Sequence, residues 1–251
     1  MFPDSSRARL RRLLPVAGTL AALLAIASAP WALGTPWLNV AFKPLATACV
    51  IAWAVLARTD DALVKRWIVI GLVCSLAGDV ALLWPVQGFL AGLVAFLLGH
   101  LSYLAGLTRR VRFAASPPAF AAWAVVAGGV LAALWAGVPG ELRVPVVVYV
   151  TALAAMAAQA SSVCLTRRGT PDAARWAVVA IGAALFVASD AILATDKFIG
   201  GVPLPTLWNL SLYWLGQWFI AFAATSRQQG DGHSSRPKGA RVEERGTEVI
   251  S

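Results

Sequence analysis

Apolar residues run through this chain in blocks of about 20, the length at which a helix crosses the hydrocarbon core of a bilayer. Eight blocks can be drawn, at 13–33, 38–57, 67–85, 89–107, 119–137, 144–165, 174–194 and 207–225. The connections between them are short, and no soluble domain fits into any of them. The period-two alternation of a barrel strand is absent, and only helices and closed barrels can satisfy their backbone groups in lipid. The pattern therefore predicts an all-α membrane protein with eight transmembrane helices over 13–225. A basic segment, 1–12, precedes them and a polar tail, 226–251, follows. The tail is rich in Gly, Ser, Arg and Glu without apolar periodicity, so it is expected to be disordered.

Composition agrees with the pattern. The chain of 251 residues is 59% hydrophobic and 13% charged, against about 25% charged in an average soluble domain. A net charge of +9 could suggest nucleic acid as a partner, but the basic residues fall between blocks or in the two end segments. Those are the positions of topology determinants, and no nucleic-acid partner is expected. Eighteen of the 21 Lys and Arg residues fall on one side of an eight-span weave, leaving Arg143 and Lys197 opposite and Lys43 inside a span. The basic side is expected to be cytoplasmic, with both termini inside. Trp31, Trp37, Trp84 and Trp208 would then mark the outer interface and Trp67 and Trp176 the inner one. The short chain and lack of an organelle signal point to a bacterial-type inner membrane. The Arg-rich start reads as an uncleaved first span. Cys49, Cys74 and Cys164 lie inside apolar blocks without metal-ligand spacing and are expected to be small buried hydrophobes.

Polar groups inside the blocks are the informative exceptions. Ser75-Leu-Ala-Gly-Asp79-Val-Ala-Leu-Leu83 places a carboxylate where ionisation costs about 2.5–3.5 kcal/mol on the insertion scale. Phe186-Val-Ala-Ser-Asp190-Ala-Ile-Leu-Ala194 repeats the design. Arg66-Trp67 and Arg175-Trp176 open the two spans concerned, so blocks three and four resemble blocks seven and eight as a weak parallel 4+4 repeat. At 1.5 Å per residue, Asp79 lies past the midplane toward the outer face and Asp190 is similarly deep. Lys43, His100, Tyr103, Tyr213 and Gln217 reach overlapping depths from other spans, as a single outward-opening polar cavity would require. Asp196 and Lys197 are expected in the following loop. Each has a blander role: Asp79 and Asp190 as interhelical clamps paired with Lys43 or His100, Lys43 as a snorkelling residue, Asp196 and Lys197 as water-facing loop residues, the others as helix–helix hydrogen bonds.

A multi-histidine zinc site is not available, because the only other histidine is His233 in the tail. No nucleophile elbow, phosphate loop or dinucleotide fingerprint is present, and no cofactor or metal is expected. Two carboxylates in a low-dielectric pocket remain, an arrangement that leaves one protonated and the other ionised.

At these residues the sequence resembles the YhhN-type lysoplasmalogenase family of integral membrane hydrolases. The resemblance rests on Phe42-Lys43-Pro44-Leu45, Ser75-Leu-Ala-Gly-Asp79, Gly88-Phe89 with Gly92 and Ala95-Phe96, and His100-Leu-Ser-Tyr103. It continues through Ser189-Asp190, Lys197-Phe198 and Tyr213-Trp-Leu-Gly-Gln217, and covers about residues 15–225. It implies hydrolysis of the vinyl ether bond of a lysophospholipid within the bilayer, giving a fatty aldehyde and a glycerophospho-choline or -ethanolamine. Asp79 and Asp190 would be the acid–base pair, with Lys43, His100, Tyr103, Lys197, Tyr213 and Gln217 around the substrate. A proton-coupled transporter or lipid flippase using the same aspartates is the alternative from another class.

Overall fold

The computed structural model describes residues 4–84 and 86–226, so the polar tail from 227 onward, His233 included, lies outside the described residues. Among the described residues there are eight α-helices and no strand. They are α1 Asp4–Ala27, α2 Pro36–Leu56, α3 Ala62–Ala81, α4 Phe89–Thr108, α5 Pro117–Leu134, α6 Arg143–Thr166, α7 Ala173–Phe198 and α8 Pro205–Ala221. Short 3₁₀ turns, Gly140–Leu142 and Phe222–Ala224, precede α6 and follow α8.

Each apolar block becomes a helix, and the ends follow local chemistry. Proline, preset for a first helical turn, opens α2, α5 and α8. Asp61 caps α3 by accepting hydrogen bonds from the amides of Leu63 (3.1 Å) and Val64 (3.0 Å), which starts that helix before its apolar block. α1 also starts early, at Asp4, and takes Arg7, Arg9, Arg11 and Arg12 into the helix. α7 runs on to Phe198, so Asp196 and Lys197 occupy its last turn and not a loop.

Six of the eight helices are long and apolar enough to cross a membrane: α1, α2, α4, α5, α6 with its leading turn, and α7. α3 carries Lys65, Arg66 and Asp79, and α8 has 17 residues. Large apolar side chains face outward around the bundle, such as Val125 and Trp37 at 75% and 63% exposure. Such a surface suits lipid. Trp31, Trp84 and Trp208 are exposed too, whereas Trp176 is fully buried, its indole N–H donating to Asp172 at 2.7 Å. Trp176 is thus a core residue and not part of an interfacial belt. Cys49 is buried, Cys74 and Cys164 are half-buried, and all three are free.

Ties between helix ends define a basic end of the bundle. Arg110 lies 3.6 Å from both Asp60 and Asp61, Lys65 donates to the carbonyls of Val55 and Ala57 at 2.7 Å, and the Ser226 amide donates to the Arg58 carbonyl at 2.8 Å.

Two helix pairs cross on glycine. A Cβ added at Gly99 of α4 would lie 3.2 Å from the Gly71 carbonyl oxygen of α3. One added at Gly182 of α7 would lie 2.9 Å from the Gly216 carbonyl oxygen of α8. Each α3 or α7 glycine stands eight residues before the aspartate of its own helix. Without side chains between them the backbones approach closely, which is how membrane helices pack. Gly182→Ala is expected to cost about 1–3 kcal/mol by overpacking. Gly128→Ala on α5, where a Cβ meets nothing within 4 Å, should be neutral or slightly stabilising. Thermal melts of the two variants in detergent compare them directly; equal melting temperatures would refute the crossing argument.

Candidate active site

Asp79 sits in the last turn of α3, 1% exposed, where three helices converge. Its Oδ2 accepts hydrogen bonds from Thr47 Oγ1 of α2 at 2.6 Å and from the Tyr213 hydroxyl of α8 at 2.7 Å. Lys43, one turn before Thr47, places Nζ 3.8 Å from Oδ1. Trp214 Nε1 in turn donates to Thr47 Oγ1 at 3.1 Å. Two hydroxyl donors and an ammonium make this corner fit to hold a carboxylate anion without water.

Asp190, about two turns before the end of α7, has a separate set of partners. The Tyr149 hydroxyl of α6 is hydrogen-bonded to Asp190 Oδ2, and the same phenol oxygen lies 2.9 Å from His100 Nε2 of α4. His100 Nε2 is 3.7 Å from Asp190 Oδ2, and its side chain is fully buried. Phe186, one turn before Asp190, stacks edge-on against both His100 and Tyr213, with ring centroids 4.8 and 5.4 Å apart. Phe96 packs on Phe186 and Tyr213 as well. The predicted single polar cavity is therefore two polar corners with an aromatic cluster between them. The Asn209 side chain donates to the Ser189 carbonyl at 2.9 Å and locks α7 to α8 beside the second corner.

Two cavities approach these corners. An apolar groove runs between α4, α5, α6 and α7, walled by residues such as Leu93, Val130, Leu134, Leu153 and Val187. Among the described residues Asp190 is its one charged lining residue, with Tyr149 beside it. A polar cavity opens at the end of the bundle away from the basic end, where Asn39, Lys43, Asp196, Lys197, Thr206 and Asn209 line it. Leu82, Phe89 and Leu193 line both, so the two spaces share a wall. Lys197 Nζ stands 4.7 Å from the centre of the Phe89 ring, at that shared wall.

The expected site residues thus divide. Asp190 faces the groove; Lys43 and Lys197 line the polar cavity. Tyr213 touches Asp79, and His100 reaches Asp190 through Tyr149. Tyr103 and Gln217 meet elsewhere. The Tyr103 hydroxyl donates to Gln217 Oε1 at 2.7 Å and lies 3.4 Å from Ser75 Oγ, and this fully buried set lines neither cavity. Tyr149, Thr47 and Trp214 are neighbours of the aspartates that sequence reasoning missed. A usable signal existed for Tyr149: the chain has three tyrosines, and all three are buried in these networks.

No metal-binding cluster of His, Cys, Asp or Glu occurs among the described residues. The arrangement offers a carboxyl on an apolar wall, a second carboxylate held by donors and a cation, and a polar compartment with two lysines. Those are the parts needed to bind a single-chain amphiphile and move protons within it.

Comparison with known proteins gives consistent results. The YhhN family profile matches residues 38–224. A protein of Mycobacterium bovis named lysoplasmalogenase is 33% identical over 186 residues, covering 70% of this chain and 67% of that protein. Mouse lysoplasmalogenase TMEM86B is 29% identical over 193 residues, covering 75% and 76%. Human lysoplasmalogenase TMEM86A is 31% identical over 172 residues, covering 66% and 68%. No solved structure matches the chain.

Proposed function

The chain belongs to the YhhN family, and from that membership we propose that it is a multi-pass membrane lysoplasmalogenase. It hydrolyses the vinyl ether bond of a lysoplasmalogen to a fatty aldehyde and glycerophospho-choline or -ethanolamine. Relatives named lysoplasmalogenase at about 30% identity support hydrolysis over transport. The observation that carries the reading is Asp190 as the one charged residue lining an apolar groove that adjoins a lysine-bearing polar cavity. A lysophospholipid has the matching form: one chain for the groove, a phosphate for Lys43 and Lys197, and the ether between them.

Vinyl ether hydrolysis begins with protonation of the β-carbon. The resulting oxocarbenium ion is captured by water, and the hemiacetal collapses to aldehyde and alcohol. It needs an acid, a nearby anion and one water. General acid–base help of this type is worth about 10²–10⁴-fold, and paired carboxyls perform the analogous task on glycosidic bonds. Asp79 and Asp190 are the proposed pair, with Lys43 and Lys197 nearest the substrate space.

All eight helices are proposed to span the bilayer, with the basic end and both termini on the cytoplasmic side of a cell membrane. The recurrence of a glycine crossing eight residues before each aspartate supports the 4+4 parallel repeat. So does the partner pattern: Asp79 on α3 is held from α2 and α8, and Asp190 on α7 from α6 and α4.

The test is to supply the purified protein with alkenyl-lysophosphatidylcholine or -ethanolamine and measure fatty aldehyde. In D₂O the aldehyde is expected to carry one deuterium on the carbon next to the carbonyl. Release of a fatty acid, or recovery of intact lipid, would refute the proposal.

A further inference from the structure

We infer that Asp190 is the proton donor of the pair and that Tyr149 and His100 form a relay that positions and recharges it. This rests on the vinyl ether reading above and assigns the roles that reading leaves open. Asp190 lines the apolar groove, where the alkenyl chain would lie; Asp79 lines neither cavity. Asp79 is also enclosed by Thr47, Tyr213 and Lys43. Asp190 is therefore the carboxyl that reaches a lipid's reacting carbon, and Asp79 acts through its hold on Tyr213 and Lys43.

The relay follows from hydrogen counting. The Tyr149 phenol stands between Asp190 Oδ2 and His100 Nε2, and its single hydrogen can serve one of them at a time. With Asp190 ionised, the phenol donates to the carboxylate and His100, as imidazolium, donates to the phenol oxygen. Passing both hydrogens one place along yields a carboxylic acid at Asp190 and a neutral His100, with the phenol intact and now donating to Nε2. Net charge is unchanged, so a dry site need not gain or lose charge for Asp190 to become an acid. The remaining walls of His100 include the ring of Phe186.

In the reaction, the Asp190 O–H hydrogen moves to the β-carbon as the C=C π pair forms the new C–H bond, leaving Asp190 as carboxylate beside the oxocarbenium ion. Water bonds to the cationic carbon and releases one proton, which restores the Asp190–Tyr149–His100 set to its starting protonation. In the hemiacetal, the hydroxyl hydrogen leaves as the carbonyl forms, and the glycerol oxygen departs with a proton. One water is consumed and no net proton is used.

The test compares Tyr149→Phe and His100→Gln with the wild type on alkenyl-lysophosphatidylcholine, using the saturated alkyl-ether lysolipid as a competitive inhibitor. Both variants are expected to lose about 10²-fold in kcat while the inhibition constant stays within about twofold. The wild-type rate plotted against deuterium fraction in the solvent should be curved, as for several protons in flight, and should become linear in Tyr149→Phe. Wild-type kcat in Tyr149→Phe would overturn the relay, as would loss of inhibitor binding together with activity, or a linear wild-type plot. Should Tyr149→Phe fold poorly, His100→Gln, which retains a hydrogen-bonding amide, decides by the same criteria. Absence of aldehyde in the wild type is a separate result: it refutes the vinyl ether reading and removes the relay with it.

Discussion

Asp190→Asn is expected to lower aldehyde release by about 10²–10⁴-fold, the range that general acid catalysis supplies. The amide keeps the shape of the side chain and an oxygen to accept the Tyr149 hydroxyl, but its carbonyl oxygen carries no acidic proton for the β-carbon. Loss should therefore appear in kcat, with the apolar groove and its affinity for lipid intact. Asp79→Asn is expected to reduce activity as well, by another route. It leaves the Lys43 ammonium without its anion and weakens the hold on Tyr213, so stability and substrate affinity should fall along with the rate. Initial rates of aldehyde formation, with kcat and KM separated, distinguish the two. Unchanged activity in both variants would remove the carboxylates from the mechanism.

Lys43→Met is expected to destabilise the bundle by about 3–5 kcal/mol, the cost of leaving a buried charge uncompensated. Lys43 and Asp79 side chains are 9% and 2% exposed, and their charged atoms lie 3.8 Å apart. Methionine matches the length and apolar stem of lysine and fills the space, so the change isolates the ammonium. If the pair is the cause, Lys43→Met combined with Asp79→Asn should recover part of the loss, and the double-mutant cycle should give a coupling of about 0.5–3 kcal/mol. Unfolding of the four proteins in mixed micelles measures it. A Lys43→Met protein as stable as the wild type would mean that Lys43 is not needed to neutralise Asp79.

The fold was largely legible because lipid imposes a simple code. Each of the eight apolar blocks became a helix, six of them long and apolar enough to cross, with ends shifted where a cap or a basic turn extended them: Asp61 before α3, Arg7 to Arg12 in α1, Asp196 and Lys197 in α7. The two aspartates stood out for the same reason, since an ionisable group in an apolar run is costly enough to need a purpose. Lys43 and His100 were legible as their counterparts by charge alone.

Which partner goes with which aspartate was not legible. Tyr149 and Asp190 are 41 residues apart, Tyr213 and Asp79 are 134 apart, and Tyr103 meets Gln217 across 114. In a soluble helix an apolar stripe tells which face turns inward, but a helix in lipid is apolar on all sides, so its sequence does not fix its rotation. Depth could be counted along each helix; direction around the axis could not. Composition and hydropathy act one segment at a time, and so they specify the helical class, the basic end and the two carboxylates. The tertiary structure alone decided that Asp79 is enclosed while Asp190 faces the groove beside Tyr149 and His100. That outcome depends on how helices distant in the chain rotate and pack, with the glycine crossings of α3 on α4 and α7 on α8 setting how closely they meet.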